Sequence, residues 1–493
     1  MAAVQDDYEP QNGSPVVDFE RAGASNIRLN VRNFGPVALA DIDVKPLTVF
    51  IGPNNSGKSY IALLIYVLSK ALTAQFSGFF PFSTIRAFRD YFYAEFDKNG
   101  AFVSFSDIAE SDQVSLKREM DILVSRVEQS ILANLTEYFG VGDLARLGRA
   151  GSSPDSFEAR VVSPTADESG FVRISTEDQL GTIRVNRPVL ESLRIPVWRN
   201  NKILPEELKM RFAAEQLWAQ LASEHGFRET SEYYLPPARS GILTTWPLVT
   251  SMAIGAVRQR LGPEPIQLAA LSGVVGDFLQ HLLTNFMADG SLGQSREGGM
   301  DRVLEVLEGD ILQGSVSIKT APSESGLLQY EGATVVIPVQ SASSMVAELA
   351  PLDLWVRQMV RPGDFLIIDE PEAHLHPRNQ RHMARVLVRL VRAGVRVICP
   401  THSSLIVHQL SNHILAANAP DAERKRLGFT EDDVLESSEI GVYLFDNAGQ
   451  DGTIVRPVEI TEDFGISEDE FVAVAEQIGD ESYRLAAAGS PGS

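Results

Sequence analysis

The 493-residue sequence has a single cysteine, Cys399. An internal disulfide framework is therefore excluded, and this usage suits a reducing cytosol. No uninterrupted apolar run approaches the roughly 18 residues that a membrane-spanning helix needs. The polar, acidic start from Met1 to Pro10 does not read as a secretory leader. The chain is accordingly expected in the cytoplasm, with no membrane partner. Basic residues are also in short supply: 43 Lys and Arg stand against 65 Asp and Glu, a formal net charge of −22. That argues against a protein coating nucleic acid over most of its surface and leaves room only for a local basic patch. There is no repeat of fixed period and no heptad run long enough for a coiled-coil arm. The apolar fraction of 44% is ordinary for a globular protein, and the length allows two or three domains.

What is present is concentrated in a few short segments. Gly52, Pro53, Asn54, Asn55, Ser56, Gly57, Lys58 and Ser59 fit the phosphate-binding pattern G-x-x-x-x-G-K-[ST]. The run Leu47–Ile51 before them has the apolar, β-branched character of a buried strand. The stretch from Ile61 to Leu72 is apolar at helical spacing and free of Pro and Gly. Strand, glycine loop and helix form the context that makes the pattern meaningful. The glycines let successive N–H groups turn toward phosphate oxygens. Lys58 would reach the β- and γ-phosphates of ATP, and the Ser59 hydroxyl would ligate Mg²⁺. Tyr60, the next residue, is counted with the nucleotide-contacting set.

A second site lies far downstream, where the apolar run Phe365–Ile368 ends in Asp369 and Glu370. This is a Walker B pattern. Asp369 would hold the Mg²⁺ shell, and Glu370 is placed to polarise a water for in-line attack on the γ-phosphate. The chain continues Glu372-Ala373-His374-Leu375-His376-Pro377, then a helix broken at Gly394, a strand over 395–399, and Pro400-Thr401-His402-Ser403. An imidazole at the C-terminal end of a strand is well placed to sense a γ-phosphate, which singles out His402. His374 and His376 read either as metal ligands or as structural loop residues.

Taken together, Pro-Glu-Ala-His-Leu-His-Pro, the following strand and Thr-His-Ser resemble the ABC-type ATPase heads of the SMC, RecF and OLD group. The resemblance implies an α/β P-loop NTPase of ABC type, a mixed sheet flanked by helices, with largely helical insertions. It makes 371–377 the D-loop at a dimer seam and His402 the switch histidine. A Leu-Ser-Gly-Gly-Gln signature is absent. Ser341–Leu349 resembles the degenerate OLD-like signature instead, with Met345 where a glycine is common. Ser343 or Ser344 at the start of a helix over 346–359 would face the γ-phosphate held by a partner subunit; an ordinary Ser N-cap gives the same residues. Asn33, in the turn after the first strand, matches residues that contact adenine in related proteins. Tyr233–Gly241 resembles an OLD-like element, and its Arg239 reads as a nucleotide or catalytic-loop contact or as a structural ion pair. No Q-loop glutamine is assigned.

The expected organisation is a flexible 1–25, a first head segment 26–75, an insertion 76–230 that is mostly helical with a few strands, a head element 231–245, a helical insert 246–300, a second head segment 301–485 and a flexible tail 486–493. In the first insertion Val114, Leu116, Met120, Leu123, Val127, Ile131 and Leu135 predict a packed helix. Residues 145–170 read as a loop or hairpin region, 171–175 and 182–186 as strands, and 204–225 as a helix. The second head segment is expected to resume with strands near 303–338 and to close with strands at 442–445 and 453–457. A capping box over 467–470 would start a last helix carrying Phe471, Val474, Ile478 and Leu485. Arg378, Arg381, Arg385, Arg389, Arg392 and Arg396 recur at three- and four-residue steps. They read as a docking stripe for DNA or an acidic partner, or as a solvated helix face.

With closing elements near residue 485, no Toprim nuclease domain of the OLD type is expected. Three functions follow. The first is an ATP-hydrolysing sensor or scaffold that dimerises head to head, or forms a higher oligomer, and controls a separate nuclease or toxin. The two-component antiphage systems PARIS and Septu have ATPase subunits of this kind. The second is a RecF-like DNA repair or recombination ATPase. The third is a low-turnover ATP-binding scaffold that holds a toxin inactive. The missing Leu-Ser-Gly-Gly-Gln and the insertions argue against a transporter subunit.

Overall fold

The computed structural model describes residues 27–73, 100–149, 157–162, 171–176, 182–185, 194–198, 206–227, 231–245, 273–287, 299–319, 327–447, 449–467 and 477–485. Their centre is a mixed sheet of eleven strands. In chain order these are β1 (Ile27–Phe34), β2 (Val37–Val44), β3 (Leu47–Ile51), β4 (Glu158–Val162), β5 (Val172–Ser175), β6 (Thr182–Val185), β7 (Glu232–Leu235), β8 (Phe365–Ile368), β9 (Arg396–Pro400), β10 (Ile440–Asn447) and β11 (Thr453–Pro457). Across the sheet the order is β6-β5-β4-β1-β2-β11-β10-β3-β9-β8-β7. The run β10-β3-β9-β8-β7 is parallel throughout. At the other end β2, β1, β4, β5 and β6 pair antiparallel. β11 joins the halves, antiparallel to β10 and parallel to β2.

Sequence pattern explains the division. Every residue of β3 and β8 is buried, as parallel strands covered on both faces require. β2 instead mixes buried positions with exposed ones such as Asp41. Seven helices concern the site: α1 (Lys58–Thr73), α2 (Glu110–Tyr138), α3 (Glu206–Glu224), α4 (Gly273–Met287), α5 (Ser344–Gln358), α6 (Pro377–Arg392) and α7 (Ser404–Asn418). Side chains alternate between two apolar clusters. Phe50, Phe365, Ile367 and Ile398 meet α1, α2 and α3. Val49, Leu366, Val397 and Cys399 meet α5, α6 and α7. The result is a three-layer sandwich with the sheet in the middle.

The strands expected around 171–175, 182–186, 442–445 and 453–457 and the helix over 204–225 form close to where the pattern places them. β4, β5 and β6 extend the same sheet through β1 rather than standing apart. The expectation of strands from residue 303 is corrected. Met300–Leu304 is α-helical and Glu305–Leu312 is a π-helical turn; strands begin at Gly314. Val303, Leu307 and Ile311 recur at four-residue steps and are all buried, a helical period that outweighs the β-branched content. Gly314–Lys319, Leu327–Gly332 and Val336–Pro338 then make a separate antiparallel sheet. In α2 six of the seven predicted positions are buried, whereas Val114, in the first turn, is 65% exposed. Residues 246–272, Phe471, Val474 and the acidic part of the capping box lie outside the described residues. In the helical segment 477–485, Ile478 and Leu485 are exposed.

Trp218 of α3 locks this layer to the phosphate-loop helix. It is fully buried, packs on Phe171, and donates its indole N–H to the Leu72 carbonyl at 3.0 Å. Trp218→Ala is expected to cost about 3–5 kcal/mol, seen as a lower denaturation midpoint.

Candidate functional site

The site is assembled by backbone pairing that continues past the strand ends. Thr401 N–H donates to the Phe50 carbonyl at 2.9 Å, Glu370 N–H to the Pro400 carbonyl at 3.0 Å, and Asp369 N–H to the Leu235 carbonyl at 3.1 Å. The loops after β3, β9, β8 and β7 therefore leave the sheet side by side. This is where open α/β sheets bind ligands, outside the carboxyl ends of parallel strands.

The loop after β3 carries the phosphate-binding pattern. Gly52 has φ +133° and Gly57 φ +100°. A side-chain carbon at Gly52 would sit 2.6 Å from the Phe445 carbonyl oxygen, and one at Gly57 would sit 2.7 Å from Val37. Neither position tolerates another residue. Asn55 also has positive φ, +60°. Pro53, Asn54 and Asn55 are exposed, whereas Ser56 is buried and its hydroxyl has no hydrogen-bond partner. Lys58, at the first turn of α1, donates to the carbonyls of Gly52 at 2.8 Å and Pro53 at 2.7 Å. Its Nζ lies 3.4 Å from Nδ1 of His402. The ammonium thus lies folded within the glycine loop. Burial lowers its pKa to about 8, against the opposing pull of Asp369, Glu370 and Glu372.

Ser59 donates its hydroxyl to Asp369 Oδ1 at 3.0 Å, closing the gap between the phosphate loop and the end of β8. Asp369 is 1% exposed, and burial pushes its carboxyl up to about 6, although hydrogen bonds from Ser59 and Tyr234 pull the other way. An oxygen-only pair of hydroxyl and carboxylate fits a hard divalent cation such as Mg²⁺. The destabilised carboxylate is what such a cation would relieve. Glu370 follows with φ +50°, a left-handed conformation that L-residues rarely adopt. Its Oε1 stands 3.9 Å from Nε2 of His402. Burial, and then the Lys58 charge, lower the pKa of His402, so the imidazole is held neutral.

The remaining predicted residues fall around this centre. Asn33, next to last in β1, has φ +52°, and its carbonyl accepts from Arg149 N–H at 2.8 Å. Tyr60 packs its ring against Phe34 and Phe139, with centroids 4.7 and 4.6 Å away. Gly35 leaves room for that ring; a side-chain carbon there would come within 2.4 Å of it. Ser343 and Ser344 are exposed at the start of α5, and Ser343 caps it, accepting from Val346 N–H at 3.3 Å. Within one chain they do not meet the Lys58–Asp369 centre through any described contact. His376 is the N-cap of α6, its Nδ1 accepting from Arg378 N–H at 3.2 Å. Among the described residues no group of three or more His, Cys, Asp or Glu side chains is arranged to hold a metal ion, which leaves the metal reading of His374 and His376 without support.

The arginine stripe is reassigned. Arg389 is buried and pairs with Asp433 at 2.8 Å; Arg385 reaches Asp433 at 3.4 Å and the Gly428 carbonyl at 3.0 Å. Arg392 pairs with Glu439, and Arg396 donates to the Gly226 carbonyl at 2.8 Å. These guanidinium groups fasten the segment after α7 and the end of α3 onto the sheet layer. Internal pairing thus occupies Arg385, Arg389, Arg392 and Arg396, while Arg378, Arg381 and Arg392 of α6 remain exposed.

Three contributors lie in segments that the sequence marks, but it assigns them no role. Tyr234 donates to Asp369 Oδ2 at 2.9 Å. Glu372 accepts from Thr401 Oγ1 at 2.8 Å and His402 N–H at 2.5 Å, tying the loop after β8 to the histidine. Glu348 pairs with Arg239 in the interior. Tyr234 is readable in principle, since it alternates with Tyr233 on a strand that ends beside the acids.

Two family models match separate parts of the chain. Residues 27–177 match "AAA ATPase domain" and residues 265–408 match "AAA domain, putative AbiEii toxin, Type IV TA system". These matches support an ATPase family. No curated protein matches. Among solved structures, an SMC head bound to the C-terminal winged-helix domain of ScpA is 11% identical, covering 89% of this chain and 98% of its own, with a TM-score of 0.37. The SMC head domain of Thermotoga maritima is 10% identical, covering 88% and 100%, with a TM-score of 0.35. An SMC head from Pyrococcus furiosus with an extended coiled coil, bound to the C-terminal domain of ScpA, is 9% identical, covering 92% and 99%, with a TM-score of 0.35. No helix among the described residues is long and apolar enough to cross a membrane.

The two shifted groups set a pH window for ligand binding. Below about 6 the Asp369 carboxyl holds a proton that a cation must displace; above about 8 Lys58 is neutral and must gain one to meet a phosphate. Each charge opposes folding of the ligand-free chain. For Asp369 that opposition is full above the folded value and gone well below it; for Lys58 it is full below about 8 and gone well above it. Mg-ATP affinity is expected to fall on either side of the window. Calorimetry in buffers of different ionisation enthalpy should register proton release near the lower limit and proton uptake near the upper.

Proposed function

We propose that this chain binds and hydrolyses ATP as an ABC-type ATPase head. The observation that carries the reading is the convergence of Lys58, Ser59, Asp369, Glu370 and His402 from three loops onto one end of the parallel sheet. The backbone N–H groups of 52–59 cradle the phosphates, and Lys58 leaves its own loop carbonyls for the β- and γ-oxygens. Ser59 and Asp369 would hold Mg²⁺, which when bound would supply charge neutralisation to the phosphates. Glu370 orients and deprotonates the attacking water, and neutral His402 hydrogen-bonds the γ-phosphate. Asn33 and Tyr60 would contact the adenine.

Two such heads would close face to face. Ser343 and Ser344 are exposed and make no described contact with their own chain's Lys58, an arrangement suited to completing a partner's site. The closed pair, or a higher oligomer, would act as a cytoplasmic sensor or scaffold that controls a separate nuclease or toxin in antiphage defence. A type IV toxin–antitoxin name among the matched families is in keeping with that role. The pairing of Arg385, Arg389 and Arg392 with acids of their own chain leaves fewer of these charges for DNA phosphates, which favours the first reading over the RecF-like one.

Lys58→Ala is expected to abolish ATP binding in a direct binding assay. Glu370→Gln is expected to bind ATP normally, to lose hydrolysis by about 10²–10⁴-fold, and to accumulate as a nucleotide-dependent dimer in light scattering. Hydrolysis by Glu370→Gln at the parent rate would remove Glu370 from its assigned role. Scattering that stays monomeric with ATP bound would remove the paired-head model.

A further inference from the structure

Arg239 and Glu348 form an ion pair in the interior, 1% and 0% exposed. Their charged atoms are 3.0 Å apart. A pair so deeply buried gains little over apolar packing of the same volume, so its presence calls for another explanation. The contacts supply one. The Arg239 guanidinium donates to the carbonyls of Asp369 at 2.9 Å and Glu370 at 3.3 Å. It also donates to the carbonyls of Pro236 at 3.1 Å and Glu348 at 3.2 Å. The Glu348 carboxylate accepts the backbone N–H groups of Arg239 at 3.3 Å and Ser240 at 2.9 Å. One planar fork thus grips the backbone of both acids at the end of β8, while its counter-ion sits on α5.

The two ends of this connection are different parts of the proposed machine. At one end, Glu370 is held at φ +50°, a conformation that persists only where its surroundings enforce it. At the other, Glu348 lies four residues after Ser344 and so one turn in from the exposed N-terminus of α5, on the same helical face. Pro351 follows inside the helix and has no N–H to give the Ala347 carbonyl, so the ladder lacks a bond between the first turn and the rest. A shift of the α5 N-terminus therefore carries Glu348, and through Arg239 the carbonyls of Asp369 and Glu370, more readily than it carries the whole helix.

We propose that Arg239 and Glu348 are positioning residues that transmit the placement of the α5 N-terminus to Glu370, so that water activation becomes competent only when α5 is engaged by a neighbouring head. This rests on the ATPase reading above and deepens it. It assigns Arg239 neither to the nucleotide nor to bulk stability alone.

The test uses the full chain with Arg239→Lys and Glu348→Gln, singly and combined. Lysine keeps the charge but cannot span several carbonyls at once. Each single variant is expected to keep its ATP affinity and KM within about threefold while kcat falls about 10- to 100-fold, the loss typical of a slightly misplaced group. The double variant should lose no more than the worse single one. In a Glu370→Gln background, Arg239→Lys should still form the nucleotide-dependent dimer, because pairing is upstream of the connection. A parent kcat in folded Glu348→Gln overturns the proposal. So does a parallel loss of ATP binding, or a failure of both variants to fold, since either assigns the pair to structure only. Lys58→Ala run alongside separates the two levels. If it too hydrolyses ATP at the parent rate, the nucleotide site itself is misassigned; if it is inactive while Glu348→Gln is normal, only the connection fails.

Discussion

β3 is hydrogen-bonded in parallel on both sides, to β9 and to β10, and β9 in turn to β8. Parallel pairing points all of these strands the same way, so the glycine loop, the histidine loop and the acidic loop must emerge at one edge. The ladder then runs beyond the strands, through Thr401 to Phe50 and Glu370 to Pro400, and sets the loops at hydrogen-bonding distance. Residues separated by more than three hundred positions in the chain, Ser59 and Asp369, are brought to 3.0 Å by this alone. Without that register, none of the side-chain chemistry has a geometry.

The site is built on unfavourable local choices. A carboxylate is buried at Asp369, an ammonium is tucked against carbonyls at Lys58, and Glu370 adopts a backbone conformation that L-residues avoid. Each is held by its surroundings: Asp369 by Ser59 and Tyr234, Glu370 by its bond to Pro400 and by the Arg239 fork. Strain of this kind is expected where a pocket is preorganised for charge that arrives with a ligand. The same logic applies to His402, whose pKa is lowered first by partial burial and then by the neighbouring Lys58 charge.

The layers divide the labour. α1, α2 and α3 fill one face of the sheet, with α2 and α3 packed around α1, the helix that begins at Lys58. α5, α6 and α7 fill the other and carry the exposed serines, the loop after β8 and the helix that follows His402. Ion pairs from Arg385 and Arg389 to Asp433 clamp the second layer at its outer side. The stripe is therefore in part an internal fastening, at Arg385 and Arg389, because the segment around Asp433 packs against it.

The local patterns are legible in the amino-acid sequence alone. The glycine loop, the β8 acids, the helix after His376 and most strand positions follow from spacing, burial period and breaker residues, which act over a few neighbours. The departure near residue 303 falls within that same range, where a four-residue apolar period outweighs β-branched content. What the sequence could not disclose were partners distant along the chain: Tyr234 under Asp369, Glu372 on the histidine loop, Arg239 on the backbone of Asp369 and Glu370, and Asp433 for the arginines. Those depend on which strands lie side by side and which segments fold over which helix. Periodicity carries no information about that, and only the packed sheet with its two helical layers decides it.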